Sequence, residues 1–256
     1  MPYNPSVHND DTSSPQLQPL LKPATMNHID QTITLWLNGS DSLYLDQVAL
    51  TATHTATWIP AALVLAYALI RHNDLLSFIE TLLAIALCIL LADQVASSVC
   101  KPLFARFRPA QDPLIMYTVD VVNGYRGGLY GFFSSHASNT FAVATFLTLL
   151  IRNRALSLWL YSWALVNCWS RVYLGVHYIG DLTVGAIWGT LVGWGIYLLW
   201  LRYCHHSVIW EKYHAAPQST SSSNLTAGGY SYGSVHLIIS TLALTYLYIA
   251  FRAIWA

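Results

Sequence analysis

Charge is what this chain has least of. Lys and Arg together number 12, and Asp and Glu another 12, so 9% of the 256 residues are charged, where a soluble domain carries about a quarter. Water is thereby excluded as the main solvent. A formal net charge of zero offers no basic surface to nucleic acid. Cysteine is scarce as well: Cys88, Cys100, Cys168 and Cys204 share no metal-ligand spacing and read as small packing residues rather than disulfide partners. No basic segment followed by an apolar core and a cleavage site opens the chain, so no removable signal peptide is expected, and no internal repeat is evident.

Apolar residues are abundant, at 55%, with ten Trp and sixteen Tyr. Several windows reach the ~20 apolar residues needed to cross a bilayer, and the Trp and Tyr suit its two interfaces. The expected fold is therefore all-α: a polytopic membrane helical bundle of about six transmembrane helices. Residues 1–25, with five Pro, read as a disordered arm. A short interfacial N-terminal helix follows, carrying Ile29, Ile33, Leu35 and Leu37 and stopping at Asn38-Gly39. Spans are expected at Gln47–Ile70, Leu76–Val99, Ser134–Ile151, from beyond Arg154 to Tyr173, Asp181–Tyr203 and Val235–Trp255. The organisation is thus a membrane domain at 26–204, a polar low-complexity linker at 205–234 and an additional C-terminal helix at 235–256. Gly185-x-x-x-Gly189 permits close helix approach.

Alternation of the spans gathers three polar segments on one membrane face. They are Lys101-Pro102-Leu103-Phe104-Ala105-Arg106-Phe107-Arg108-Pro109, then Phe133-Ser134-Ser135-His136, then Ser170-Arg171 through His177 to Asp181. Lys101, Arg108 and Arg171 can neutralise a phosphate, Arg by bidentate contact. Ser134 and the backbone N–H groups of Ser135 and His136 open a helix, where anions are favoured. His177 can attack phosphorus, His136 can protonate the departing oxygen, and Asp181 is spaced to orient the His177 ring. No metal or other cofactor is required.

These segments resemble the type 2 phosphatidic acid phosphatase family, whose signature is K-x6-R-P, then P-S-G-H, then S-R-x5-H-x3-D. The first and third match fully; in the second, Phe133 stands for Pro and Ser135 for Gly. The resemblance covers roughly residues 28–204. It implies a phosphohistidine on His177 oriented by Asp181, with His136 as general acid and phosphate held by Lys101, Arg108, Ser134 and Arg171. It also implies a phosphorylated membrane lipid as substrate. Bacterial members act on undecaprenyl pyrophosphate, lipid A and phosphatidylglycerophosphate, and lipid A phosphate and undecaprenyl pyrophosphate are the leading expectations. The alternatives are a phosphotransferase using the same phosphohistidine and an inactive phospholipid-binding scaffold.

Other polar residues have plainer readings. Asp93, Ser97 and Lys101 fall on one helical stripe, which makes Asp93 a buried support for Lys101. Arg106 and Arg126 are equally read as headgroup contacts or interfacial residues, and the Gly- and Tyr-rich run from Gly124 to Gly131 as a headgroup lid or a plain loop. His205, His206 and His214 read as loop residues. Arg71, Arg152, Arg154, Arg202 and Lys212 on one face against Lys22, Arg106, Arg126 and Arg252 on the other give a slight vote for an exterior site. The expectation is an inner-membrane protein with its site toward the periplasm. Homo-oligomerisation is compatible with the sequence and not specified by it.

Overall fold

The computed structural model describes residues 25–203 and 224–255. All but the last residue of the expected N-terminal arm, Cys204, and residues 205–223 with His205, His206, Lys212 and His214 lie outside the described residues. Among the described residues the helices are α1 (Thr25–Leu37), α2 (Leu43–Thr53), α3 (Ile59–His72), α4 (Leu75–Gln94), α5 (Lys101–Phe104), α6 (Ser135–Ile151), α7 (Arg154–Tyr173), α8 (Ile179–Tyr203) and α9 (Tyr232–Arg252). The protein is helical, as its composition demands of a chain that must satisfy its backbone within lipid.

Helix ends follow from local chemistry. Ser42, Ser134, Asn153 and Ser231 each cap a helix by accepting a backbone N–H with the side chain. α4 continues through a π-helical segment, Val95–Cys100, into α5, so Leu75–Phe104 is one rod of 30 residues. That rod, α8 and α9 are each long and apolar enough to cross a membrane.

The expected first span is not straight. α2 and the Thr55–His72 helix meet at a 72° bend, and the backbone at His54 is extended. The Thr57 hydroxyl and the Trp58 indole N–H donate to the Thr51 and Ala52 carbonyls (2.7 and 2.9 Å), replacing helical bonds that the bend removes. A hydropathy window averages the Thr- and His-rich run from Thr51 to Thr57 with the apolar residues beyond it and so passes over the break. The bend places Thr53, Thr55 and Trp58 on the wall of a cavity described below.

α6 lies at the centre, packed on α4, α7 and α8. Its close approach to α8 uses a stripe of glycines. A Cβ on Gly189 would stand 2.1 Å from the Ser138 carbonyl oxygen, and one on Gly193 would stand 2.3 Å from that of Ala142. The Gly185-x-x-x-Gly189 pattern is therefore spent inside the chain.

Two outer pieces are tied down more firmly than their sequences suggest. α1 exposes Ile29 and Trp36, the latter by 82%, yet turns Asp30 and Thr34 inward to accept the N–H groups of Gly180 (2.9 Å) and Ile179 (3.2 Å). Asn38, just beyond it, donates to the Tyr173 and Asp120 carbonyls. Residues 224–231 of the expected linker form a turn with a bridge between Leu225 and Ser231. In that turn Tyr230 is buried, and Gly228 sits against the Leu150 and Ile151 carbonyls at the end of α6.

Candidate active site

The three polar segments converge on one cavity of about 540 Å³. The end of the α4–α5 rod brings Lys101, the segment after α5 brings Arg108, and the start of α6 brings Ser135 and His136. Arg171 comes from the end of α7 and His177 from the turn before α8. Three cations from two of the polar segments thus face one space, in a chain with few charges to place.

Lys101 Nζ donates to Ser135 Oγ at 2.7 Å and to Ser97 Oγ at 3.2 Å, and Ser97 Oγ reaches Asp93 Oδ1 at 3.4 Å. The Asp93–Ser97–Lys101 stripe is therefore realised, through the π-helical segment, as a chain that holds the ammonium group. π-segments inside α-helices recur at functional sites because they re-aim side chains.

The two serines of the second segment divide differently from the expectation. Ser134 is fully buried and its hydroxyl caps α6. Ser135 lines the cavity beside Lys101. The family pattern's glycine position thus carries a side chain that engages a site cation, while Ser134 caps the helix start that carries Ser135 and His136.

His177 is 1% exposed. Its Nε2 stands 3.4 Å from Arg108 Nη1, and its Nδ1 stands 3.5 Å from Asp181 Oδ2, a contact that must shorten to become a hydrogen bond. Burial, followed by the cations of Arg108, Arg171 and Lys101, holds the imidazole well below its usual 6.5. A neutral ring with Nε2 turned to the cations and Nδ1 to a carboxylate is the state a nitrogen nucleophile requires.

Arg171 is 3% exposed. It donates to Thr53 Oγ1 at 2.8 Å and to the Tyr125 hydroxyl at 3.2 Å, while its Nε has no partner. The glycine-rich run is folded over the site rather than free of it. Arg108 N–H donates to the Leu129 carbonyl (3.1 Å) and Arg108 Nε to that of Tyr130 (3.1 Å). Gly127 has φ +65°, and a Cβ there would stand 2.8 Å from Arg108 Nη1, so only glycine suits both its backbone and its neighbour.

Arg106, read from sequence as a headgroup or interfacial residue, turns inward. It bridges Asp181 Oδ1 (2.7 Å) and Asp30 Oδ2 (2.6 Å) and lies over the Tyr178 ring. Arg126 donates to the Ala110 carbonyl at 2.6 Å. Asp30 and Thr53 thus join the site without having stood out as candidates, while Arg106 and Tyr125, read as headgroup or lid residues, hold Asp181 and Arg171 instead. A carboxylate on an amphipathic helix carries no motif, and Arg106 showed itself only as an extra cation inside the first segment. Among the described residues no cluster of His, Cys, Asp and Glu has the arrangement of a metal site.

A buried histidine, a carboxylate at its back and three cations make an arrangement suited to phosphoryl transfer. Residues 81–203 match the PAP2 superfamily. The chain is 39% identical over 176 residues to a lipid A 4'-phosphatase of Bacteroides thetaiotaomicron, covering 68% of this chain and 78% of that one. It is 33% identical over 173 residues to the lipid A 4'-phosphatase of Porphyromonas gingivalis, covering 68% and 73%. A transmembrane PAP2-type phosphatidylglycerolphosphate phosphatase from Bacillus subtilis, known from a crystal structure, shares the fold. Its TM-score is 0.54 at 18% identity, over 71% of this chain and 89% of the other. The chain belongs to the PAP2 superfamily and is a membrane phosphatase of its bacterial branch.

Proposed function

We propose that this protein hydrolyses a phosphate ester of a cell-envelope lipid through a phosphohistidine, with the phosphate of lipid A as the favoured substrate. The observation that carries the mechanism is His177, held between Arg108 on Nε2 and Asp181 on Nδ1. In the first step the Nε2 lone pair attacks phosphorus, the P–O bond to the lipid breaks, and His136 gives its proton to the departing oxygen. In the second, water attacks phosphorus, loses its proton to His136, and the P–N bond breaks to release inorganic phosphate. Lys101, Arg108 and Arg171 keep the phosphoryl oxygens neutralised throughout. Asp181 stabilises the imidazolium that forms when Nε2 is phosphorylated.

The lipid A assignment is supported by the two relatives of that name, each matched over more than two-thirds of its length. The chain's inner-membrane location and a site facing the periplasm rest on the positive-charge distribution and remain part of this proposal. No metal enters the scheme. The test is phosphate release from lipid A, undecaprenyl pyrophosphate, phosphatidic acid and phosphatidylglycerophosphate, with and without an acceptor lipid. Release from lipid A without acceptor supports hydrolysis; release that requires an acceptor replaces it with phosphotransfer.

A further inference from the structure

The cavity is layered, and phosphate chemistry accounts only for its upper layer. α6 and α7 run antiparallel with Thr145 bonded to Tyr161 at 3.0 Å, so His136 stands level with Arg171, Asn139 with Asn167, and Val143 with Trp163. α4 joins this register: the Ser138 hydroxyl donates to the Ala92 carbonyl at 3.0 Å, which puts Asp93 beside the Asn139 level. All these residues except Ser138, Ala92, Thr145 and Tyr161 line the cavity. At the rise of an α-helix, the second layer lies about 5 Å beneath the cations and the third about 10 Å.

The second layer has a carboxylate, Asp93, and amides, Asn139 and Asn167, but no cation. Oδ1 of Asn139 is buried without a partner, and so is the indole N–H of Trp163 a layer below. Buried polar groups of this kind are costly until something bonds them. Trp58 and Trp163 stand edge to face at 6.2 Å and give the lower wall an aromatic surface.

The chemistry of this layer selects among groups attached to a phosphate. The second phosphate of a pyrophosphate would meet the Asp93 carboxylate, and the one cation linked to it, Lys101 through Ser97, already belongs to the phosphate layer above. The ester carbonyls of a diacylglycerol only accept hydrogen bonds and offer nothing to Asp93 or Asn139 Oδ1. A sugar ring carries hydroxyl or amide donors for both, acceptors for the Trp163 N–H, and C–H faces that pack on indole. The geometry points to a sugar-binding subsite under the phosphate site, formed by Asp93, Asn139, Trp58 and Trp163, that makes a phosphorylated glycolipid the substrate. This rests on the phosphatase reading above and narrows it.

The test separates binding from turnover. In His177→Ala protein in detergent, N-acetylglucosamine 1-phosphate and glycerol 3-phosphate with both hydroxyls methylated, which has no donor, are titrated by calorimetry. The sugar phosphate is expected to bind at least about tenfold more tightly. Trp163→Phe or Asn139→Leu on that background is expected to erase the difference, with Trp163→Tyr and Asn139→Asp used if either fails to give a cooperative thermal transition. Equal affinity for the two probes, or a preference that survives both substitutions, overturns the subsite. In protein with His177 intact, the ratio of kcat/KM for lipid A over phosphatidic acid should fall about tenfold in Trp163→Phe. Failure of the wild-type protein to release phosphate from any lipid would refute the phosphatase reading, and the binding comparison would still decide whether the sugar subsite exists.

Discussion

Arg106 and Asp181 are joined at 2.7 Å through Oδ1 of the carboxylate, and Oδ2 of the same carboxylate faces His177 at 3.5 Å. The orientation of Asp181 therefore depends on an arginine that does not line the cavity, and that arginine is held in turn by Asp30 of α1. The Tyr178 N–H, donating to Oδ2 at 3.2 Å, is the remaining constraint on the carboxylate. Gly131 completes the arrangement, since a Cβ there would come within 3.1 Å of Asp181 Oδ2 and 3.5 Å of His177 Nδ1.

Loss of Arg106 should lower kcat with little change in KM, because the carboxylate acts on the ring and not on bound phosphate. A misplacement of this kind costs up to about 100-fold in rate. Arg106→Ala is expected near that figure, Arg106→Lys to recover part of it, and Asp30→Asn to fall between them and the wild type. Steady-state kinetics on one lipid substrate check the order; a rise in KM with kcat unchanged would assign Arg106 to substrate binding instead.

The two histidines should separate by leaving group. His177→Ala is expected to abolish turnover of every substrate. His136→Ala should cost about 10²–10⁴-fold on an alkyl phosphate but far less on p-nitrophenyl phosphate, whose anion needs no proton to depart. Equal losses on both esters would remove His136 from the role of general acid.

Packing of α6 on α8 predicts that Gly189→Ala does not fold normally. The added methyl would overlap the Ser138 carbonyl oxygen, which is backbone and cannot swing aside, and overpacking of this sort costs about 1–3 kcal/mol. The α6 start that presents Ser135 and His136 would move with it. A lowered thermal-unfolding midpoint in detergent, together with reduced activity, is the expected outcome. Gly195→Ala, with open space around its Cβ position, is the control.

Acid should destabilise the fold through His177. Its folded imidazole is held well below 6.5 by burial and then by Arg108, Arg171 and Lys101, while in the unfolded chain it takes up a proton near that value. The unfolded state then binds more protons as pH falls through 6.5, so stability declines toward acid in that window and is recovered above it. The unfolding midpoint measured between about pH 7.5 and 5 should fall less steeply in His177→Gln than in the wild type.

The parts legible in the sequence were those written as motifs or as runs of apolar residues. Lys101, Arg108, His136, Arg171 and His177 meet in one cavity because span alternation brings their segments to one face. The rod from Leu75, α8 and α9 follow from hydropathy alone. What escaped depends on tertiary geometry. The 72° bend at His54 lies in a short Thr-rich run that a span-length hydropathy window averages away, the inward turn of Arg106 requires Asp30 some 76 residues away, and the division of labour between Ser134 and Ser135 depends on where α6 begins. Hydrophobic patterning carries no record of these relationships.

The central claim is hydrolysis through His177. Purified wild-type protein and His177→Ala, each in excess EDTA, should be given lipid A and assayed for released phosphate. The account predicts steady release by the wild type and none by the variant. Release by His177→Ala at the wild-type rate, or a wild-type activity abolished by EDTA and restored by a divalent cation, would contradict it.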